Sequence, residues 1–188
     1  MGSLTQTFLT TTEQFWQILG ECRTLFDKKN QDYGSSWRIL RLPSITDQIF
    51  IKAKRIRTVQ EKKEQRIQDS IQEEFVGIIN YAVMALIQST LSADSRVNMP
   101  AAELLALYDQ EVEKIADLLL NKNHDYGEAW RDMRVESITD IILMKLYRIK
   151  SIEAQDGKTL VSEGVLAGYQ DILNYAVFAM IHLRTTQS

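Results

Sequence analysis

Along most of the chain, apolar residues recur at intervals of three and four, with polar residues filling the gaps. Phe15, Ile18, Leu19, Cys22, Leu25 and Phe26 keep this helical period, and Thr11 or Thr12 is placed to cap the helix they predict. Leu104, Leu107, Val112, Ile115, Leu118 and Leu119 draw a similar stripe, entered at Pro100, a residue suited to a first helical turn. Further stripes begin near Ser44, with Pro43 before it as a boundary, and near Ser137. Two denser ones run from about Ser70 to Leu91 and from about Ser162 to Leu183. Gly34 and Gly127 follow the first and fourth stripes and read as helix stops, since glycine accepts the left-handed conformation. No stretch alternates with the period of a strand. Six helices and an all-α fold are expected.

The six are two sets of three. One fixed shift lays Asn30, Asp32-Tyr33-Gly34, Trp37-Arg38 and Arg41 on Asn123, Asp125-Tyr126-Gly127, Trp130-Arg131 and Arg134. It continues through Ser44-Ile45-Thr46-Asp47 and Ser137-Ile138-Thr139-Asp140, then Lys52 and Lys145, then Arg55-Ile56 and Arg148-Ile149. After one extra residue near Gly157, Asn80-Tyr81-Ala82-Val83 falls on Asn174-Tyr175-Ala176-Val177. The chain is therefore a tandem duplication of a three-helix unit, copies 9–92 and 101–185, packed as one pseudo-symmetric bundle. The segment between them, SADSRVNMP, is polar and loop-like.

Composition narrows the function classes. A formal charge of −3 gives no basic excess, so a long nucleic-acid footprint is not expected. One cysteine, Cys22, forms no internal disulfide, which fits a reducing compartment. The start MGSLTQTF lacks a secretory pattern and no apolar run is long enough for a membrane, so a cytoplasmic location is expected.

Charge interrupts the apolar stripes at matching places. Lys52 and Lys145 hold a core-facing phase of the second and fifth helices, with Arg55 and Arg148 one turn further. Such a lysine either snorkels to water or faces a carboxylate or phosphate. On the sixth helix Asp171 and Asn174 share a face, either to hold a hard cation through oxygen or to pair Asp171 with Lys145 or Arg148. The first copy keeps Asn80 but has Gly77 for Asp171, with Glu73 as a substitute carboxylate, so the second copy looks better equipped. Asp125 is read as a helix cap or a contact to metal or base, and Trp130 as a packing anchor.

The doubled KNxDYGxxW, SITDxI, KxxRI and NYA resemble the nucleotide-modification-associated domain 1 family, once per copy across nearly the whole chain. More distantly, the layout is similar to the MazG-like all-alpha nucleoside triphosphate pyrophosphohydrolases. That likeness implies a helical bundle, often dimeric, in which acidic residues bind magnesium for cleavage between the α and β phosphates. The paired ExxE and ExxD acids of that superfamily are represented here only by DxxN at Asp171 and Asn174, with Asp125 and Glu128 as stand-ins.

The resemblance thus implies a nucleotide-binding protein. Its expected activity is Mg2+-dependent hydrolysis of modified or ordinary nucleoside triphosphates to monophosphate and pyrophosphate. Asp171, Lys145 and Arg148 would be catalytic, and Asp171, Asp125 and Glu128 would hold metal. Asp125, Tyr126, Asn174, Tyr175, Asp32, Tyr33, Lys52, Arg55 and Asn80 would contact the nucleotide. The alternative is a non-catalytic helical nucleotide-binding or scaffold module. A homodimer fits either.

Overall fold

The computed structural model describes residues 10–62, 68–159 and 164–186. Among them, α1 (Thr11–Tyr33) leads through a short 3₁₀ turn (Ser36–Ile39) to α2 (Leu42–Lys62) and α3 (Gln68–Thr90). The second copy repeats this as α4 (Ala101–Tyr126), a 3₁₀ turn (Ala129–Asp132), α5 (Val135–Glu153) and α6 (Val165–Thr185). No strand occurs among the described residues, and no helix is long and apolar enough to cross a membrane.

Helix boundaries correct three expectations. The cap of α1 is Thr10, whose extended backbone lets its hydroxyl accept from Glu13 N while the Glu13 carboxylate accepts from Thr10 N. Thr11 is instead a buried first-turn residue bonded to Glu128 and Arg131 of the other copy. α2 starts at Leu42 rather than near Ser44, because Pro43 is accommodated in a first turn, where no amide donor is required. α5 likewise starts at Val135, ahead of Ser137. The expected start of the last helix at Ser162 lies outside the described residues. Gly34 and Gly127 do end α1 and α4, with φ of 68° and 69°.

α3 and α6 pack on each other at the centre, α2 and α5 flank them and also meet, and α1 and α4 lie across α3 and α6 from both copies. One continuous apolar core results, running from Phe15 in α1 to Leu183 in α6. The repeated SITD stretch is the polar seam of the α2–α5 contact. Thr46 and Thr139, both fully buried, bond back to the carbonyls of Leu42 and Val135. Each also reaches a side chain from the other copy: Thr46 donates to Glu153 at 2.7 Å, and Thr139 accepts from Gln60 at 3.1 Å. Asp47 pairs with Lys150 at 2.6 Å, and Asp140 with Arg57 at 3.6 Å.

The connection between the copies is clamped. Ser35 donates to Val97 O and accepts from Met99 N, while the buried Arg38 guanidinium binds the carbonyls of Arg96 and Asp94 and the Gln88 side chain. Motif residues of the first copy thus hold the polar linker.

Candidate ligand-binding cleft

Lys52 and Lys145 take equivalent positions, each with its ammonium about 6 Å from the ring centre of a repeated tyrosine: 5.8 Å for Tyr81 and 6.0 Å for Tyr175. Their counter-charges differ. Lys145 donates to Asp171 at 2.8 Å, and Lys122 approaches the same carboxylate at 3.3 Å. In the first copy the partner is Glu74, not Glu73, because Glu74 lies a turn before Gly77 on the face towards α2. Between the copies, carboxylate and glycine have exchanged places: Glu74 and Gly77 stand where Gly168 and Asp171 do. The exchange is sterically coupled to Lys52. A Cβ on Gly77 would lie 2.7 Å from Lys52 Cε and 3.0 Å from its Nζ.

The exchange leaves Lys52 loosely held. Its distance to Glu74 is 3.4 Å, beyond a good N–H···O contact, and Glu74 is already taken by Arg55 at 2.6 Å. Lys52 lines a cavity of about 450 Å³ between α1, α2 and α3, in the size range of small-molecule sites. Lys29, Tyr33, Tyr81 and Glu73 share its wall with Asn80. So do Asn30 and Trp37, at 9% and 8% exposure, and among the described residues Asn30 Nδ2 and Trp37 Nε1 have no hydrogen-bond partner. Two buried donors left unpaired cost about 1–3 kcal/mol each, a cost that an acceptor-bearing ligand would relieve.

Asn80, in the cavity lining, is fixed by one partner from each copy. Its Nδ2 donates to Cys22 O at 3.1 Å, and its Oδ1 accepts from Tyr108 OH at 2.8 Å. The residue of α1 matching Tyr108 is Phe15, which has no hydroxyl, and Asn174 Oδ1 is correspondingly unpartnered among the described residues. Tyr108→Phe is expected to place Asn80 in the state of Asn174 and lower stability by about 1 kcal/mol. Phe15→Tyr should raise it by a similar amount, both read from denaturant unfolding.

In the second copy the surroundings of the repeated tryptophan are filled by the chain itself. Phe178 stacks on Trp130 with centroids 4.3 Å apart and planes 5° from parallel. The Arg131 guanidinium lies 4.5 Å from the Trp130 ring centre, and His182 meets the ring edge-on while bonding Trp130 O. Lys145, Arg148 and Asp171 instead line an open groove of about 730 Å³ towards Gly164.

The remaining sequence candidates are dispersed. Asp32 is exposed on the last turn of α1 outside the cavity lining, Arg55 is 58% exposed on its side chain, and Tyr175 packs edge-on to Phe178. Glu128 pairs with Arg131 at 2.6 Å. The side chains of Asp125 and Tyr126 lie outside the described residues. Among the described residues no three His, Cys, Asp or Glu side chains gather as a metal-binding group, and Asp171 is engaged by two lysines. Of the expected metal ligands, Asp171 thus faces lysines and Glu128 faces Arg131. Burial pushes the Cys22 thiol up to about 12, so it stays protonated and inert. Sequence reasoning missed Lys29, Asn30, Trp37 and Tyr81 as cleft residues, although the repeat displayed Asn30, Trp37 and Tyr81 plainly.

A family model described as nucleotide modification associated domain 1 matches the chain twice, over residues 29–89 and 122–183. No curated protein and no solved structure matches.

Proposed function

The chain belongs to the nucleotide modification associated domain 1 family, and from that membership and the cleft of the first copy we propose that it is a nucleotide-binding protein. The observation that carries this reading is the pair of buried, unpartnered donors, Asn30 Nδ2 and Trp37 Nε1, beside a loosely paired lysine. A nucleotide supplies what each lacks. Its phosphate takes Lys52, with Lys29 at the rim, and its oxygen and ring-nitrogen acceptors take the two N–H groups. Tyr33 and Tyr81 add aromatic walls. A cavity of about 450 Å³ suits a single nucleotide rather than a nucleic-acid strand.

Binding comes before hydrolysis in this reading, because the carboxylate on the cavity wall is Glu73, with no acidic cluster beside it among the described residues. The test is calorimetric titration of nucleoside mono- and triphosphates, with and without Mg2+, followed by product analysis. Saturable binding without turnover is expected. Lys52→Ala should weaken it about tenfold and flatten its dependence on salt, as loss of one phosphate-facing charge requires. Release of monophosphate and pyrophosphate only with Mg2+ would replace this reading with the hydrolase one. No binding of any nucleotide would end both.

A further inference from the structure

The two copies differ at one position that bears directly on how a ligand ring is held. The residue following NYAV is Phe178 in the second copy and Met84 in the first. Phe178 lies flat on Trp130, as one aromatic ring lies on another in an offset stack. Trp37 has no such partner: its nearest ring among the described residues is Phe26, tilted 54° at a centroid distance of 6.2 Å. Met84 and Trp37 both line the cavity that also holds the unpaired Asn30 Nδ2.

We infer that the first copy alone takes the ligand, with the planar base stacked on Trp37 in the place that Phe178 fills on Trp130. This rests on the nucleotide reading above and adds to it which copy binds, and how. The second copy acts as a self-filled template, its own phenyl ring standing where the base goes. Trp37 is itself buried, so Met84 must yield as the base enters. An unbranched thioether with three rotatable bonds does so readily, whereas a phenyl ring in the same place does not. The electrostatics agree. Lys145 is neutralised by Asp171 at 2.8 Å, while Lys52 has glycine beside it and a carboxylate only at 3.4 Å. Among the described residues Trp130 Nε1 is unpartnered as well, so that atom does not separate the copies; the stacked ring and the counter-charge do.

The test is calorimetry of the full chain with dAMP, dCMP, dGMP and dTMP and the matching triphosphates, on the wild type and on Met84→Phe. The expected stoichiometry is one ligand per chain. Met84→Phe should lower affinity by about tenfold to a hundredfold, the range for losing one base–aromatic stack. Its melting curve should stay close to that of the wild type, since the second copy already packs phenylalanine there. Two ligands per chain, or undiminished binding by Met84→Phe, would overturn the inference while leaving nucleotide binding intact. Absence of binding by the wild type would overturn the underlying reading and this one with it. Should Met84→Phe not fold, the wild-type stoichiometry still decides between one site and two.

Discussion

Arg38→Met is expected to destabilise the protein by about 3–5 kcal/mol, whereas Arg131→Met, the same change in the other copy, should cost about 1 kcal/mol. Arg38 is buried at 7% exposure and holds two linker carbonyls and the Gln88 amide oxygen. Methionine fills much of its volume but leaves three acceptors without a donor. Gln88 cannot turn to compensate, because its own amide already donates to the carbonyls of Arg38 and Leu40. Arg131 instead is a third exposed on its side chain, pairs with Glu128 and bonds Thr11 and Gln14, and Thr11 keeps its own bond to Glu128 when Arg131 is lost. Against a typical total of about 5–15 kcal/mol, the first change would remove a large share of the stability. Parallel urea unfolding of the two variants measures the contrast. Equal losses would contradict the linker clamp.

Trp130→Ala should cost about 3–5 kcal/mol, the range for removing a large buried aromatic residue. Its ring holds the Phe178 stack, the Arg131 guanidinium and the His182 edge together. The effect is on stability. Folded Trp130→Ala protein, assayed well below its lowered melting temperature, should bind nucleotide as the wild type does. Loss of binding in that folded state would move the site to the second copy.

The sequence made much of this architecture legible, and the reasons for the remainder are physical. Helical period and glycine stops marked six helices, and self-similarity marked two copies, because both signals are local. The phase of Lys52 and Lys145 was equally readable, and both lysines do meet a carboxylate. Which glutamate Lys52 meets was not, since Glu73 and Glu74 differ by one residue's rotation about α3 and that rotation depends on how α3 seats against α2. The seam of Thr46, Thr139, Gln60 and Glu153 was hidden for another reason: its partners lie in opposite copies, and no period within one copy encodes them. The difference between Met84 and Phe178 was visible as letters, but acquired meaning only once the stack on Trp130 was seen.

The chain has three tryptophans, so its indole N–H signals form a small set in a proton–nitrogen correlation spectrum. Trp37 Nε1 is buried beside the first-copy cavity, Trp130 Nε1 is buried beneath the Phe178 stack, and Trp16 is 42% exposed. Titrating the protein with a nucleotide while following those signals shows which tryptophan meets the ligand. The Trp37 signal should move saturably while those of Trp130 and Trp16 hold still. A Trp130 signal that moves while Trp37 stays fixed would contradict a first-copy site.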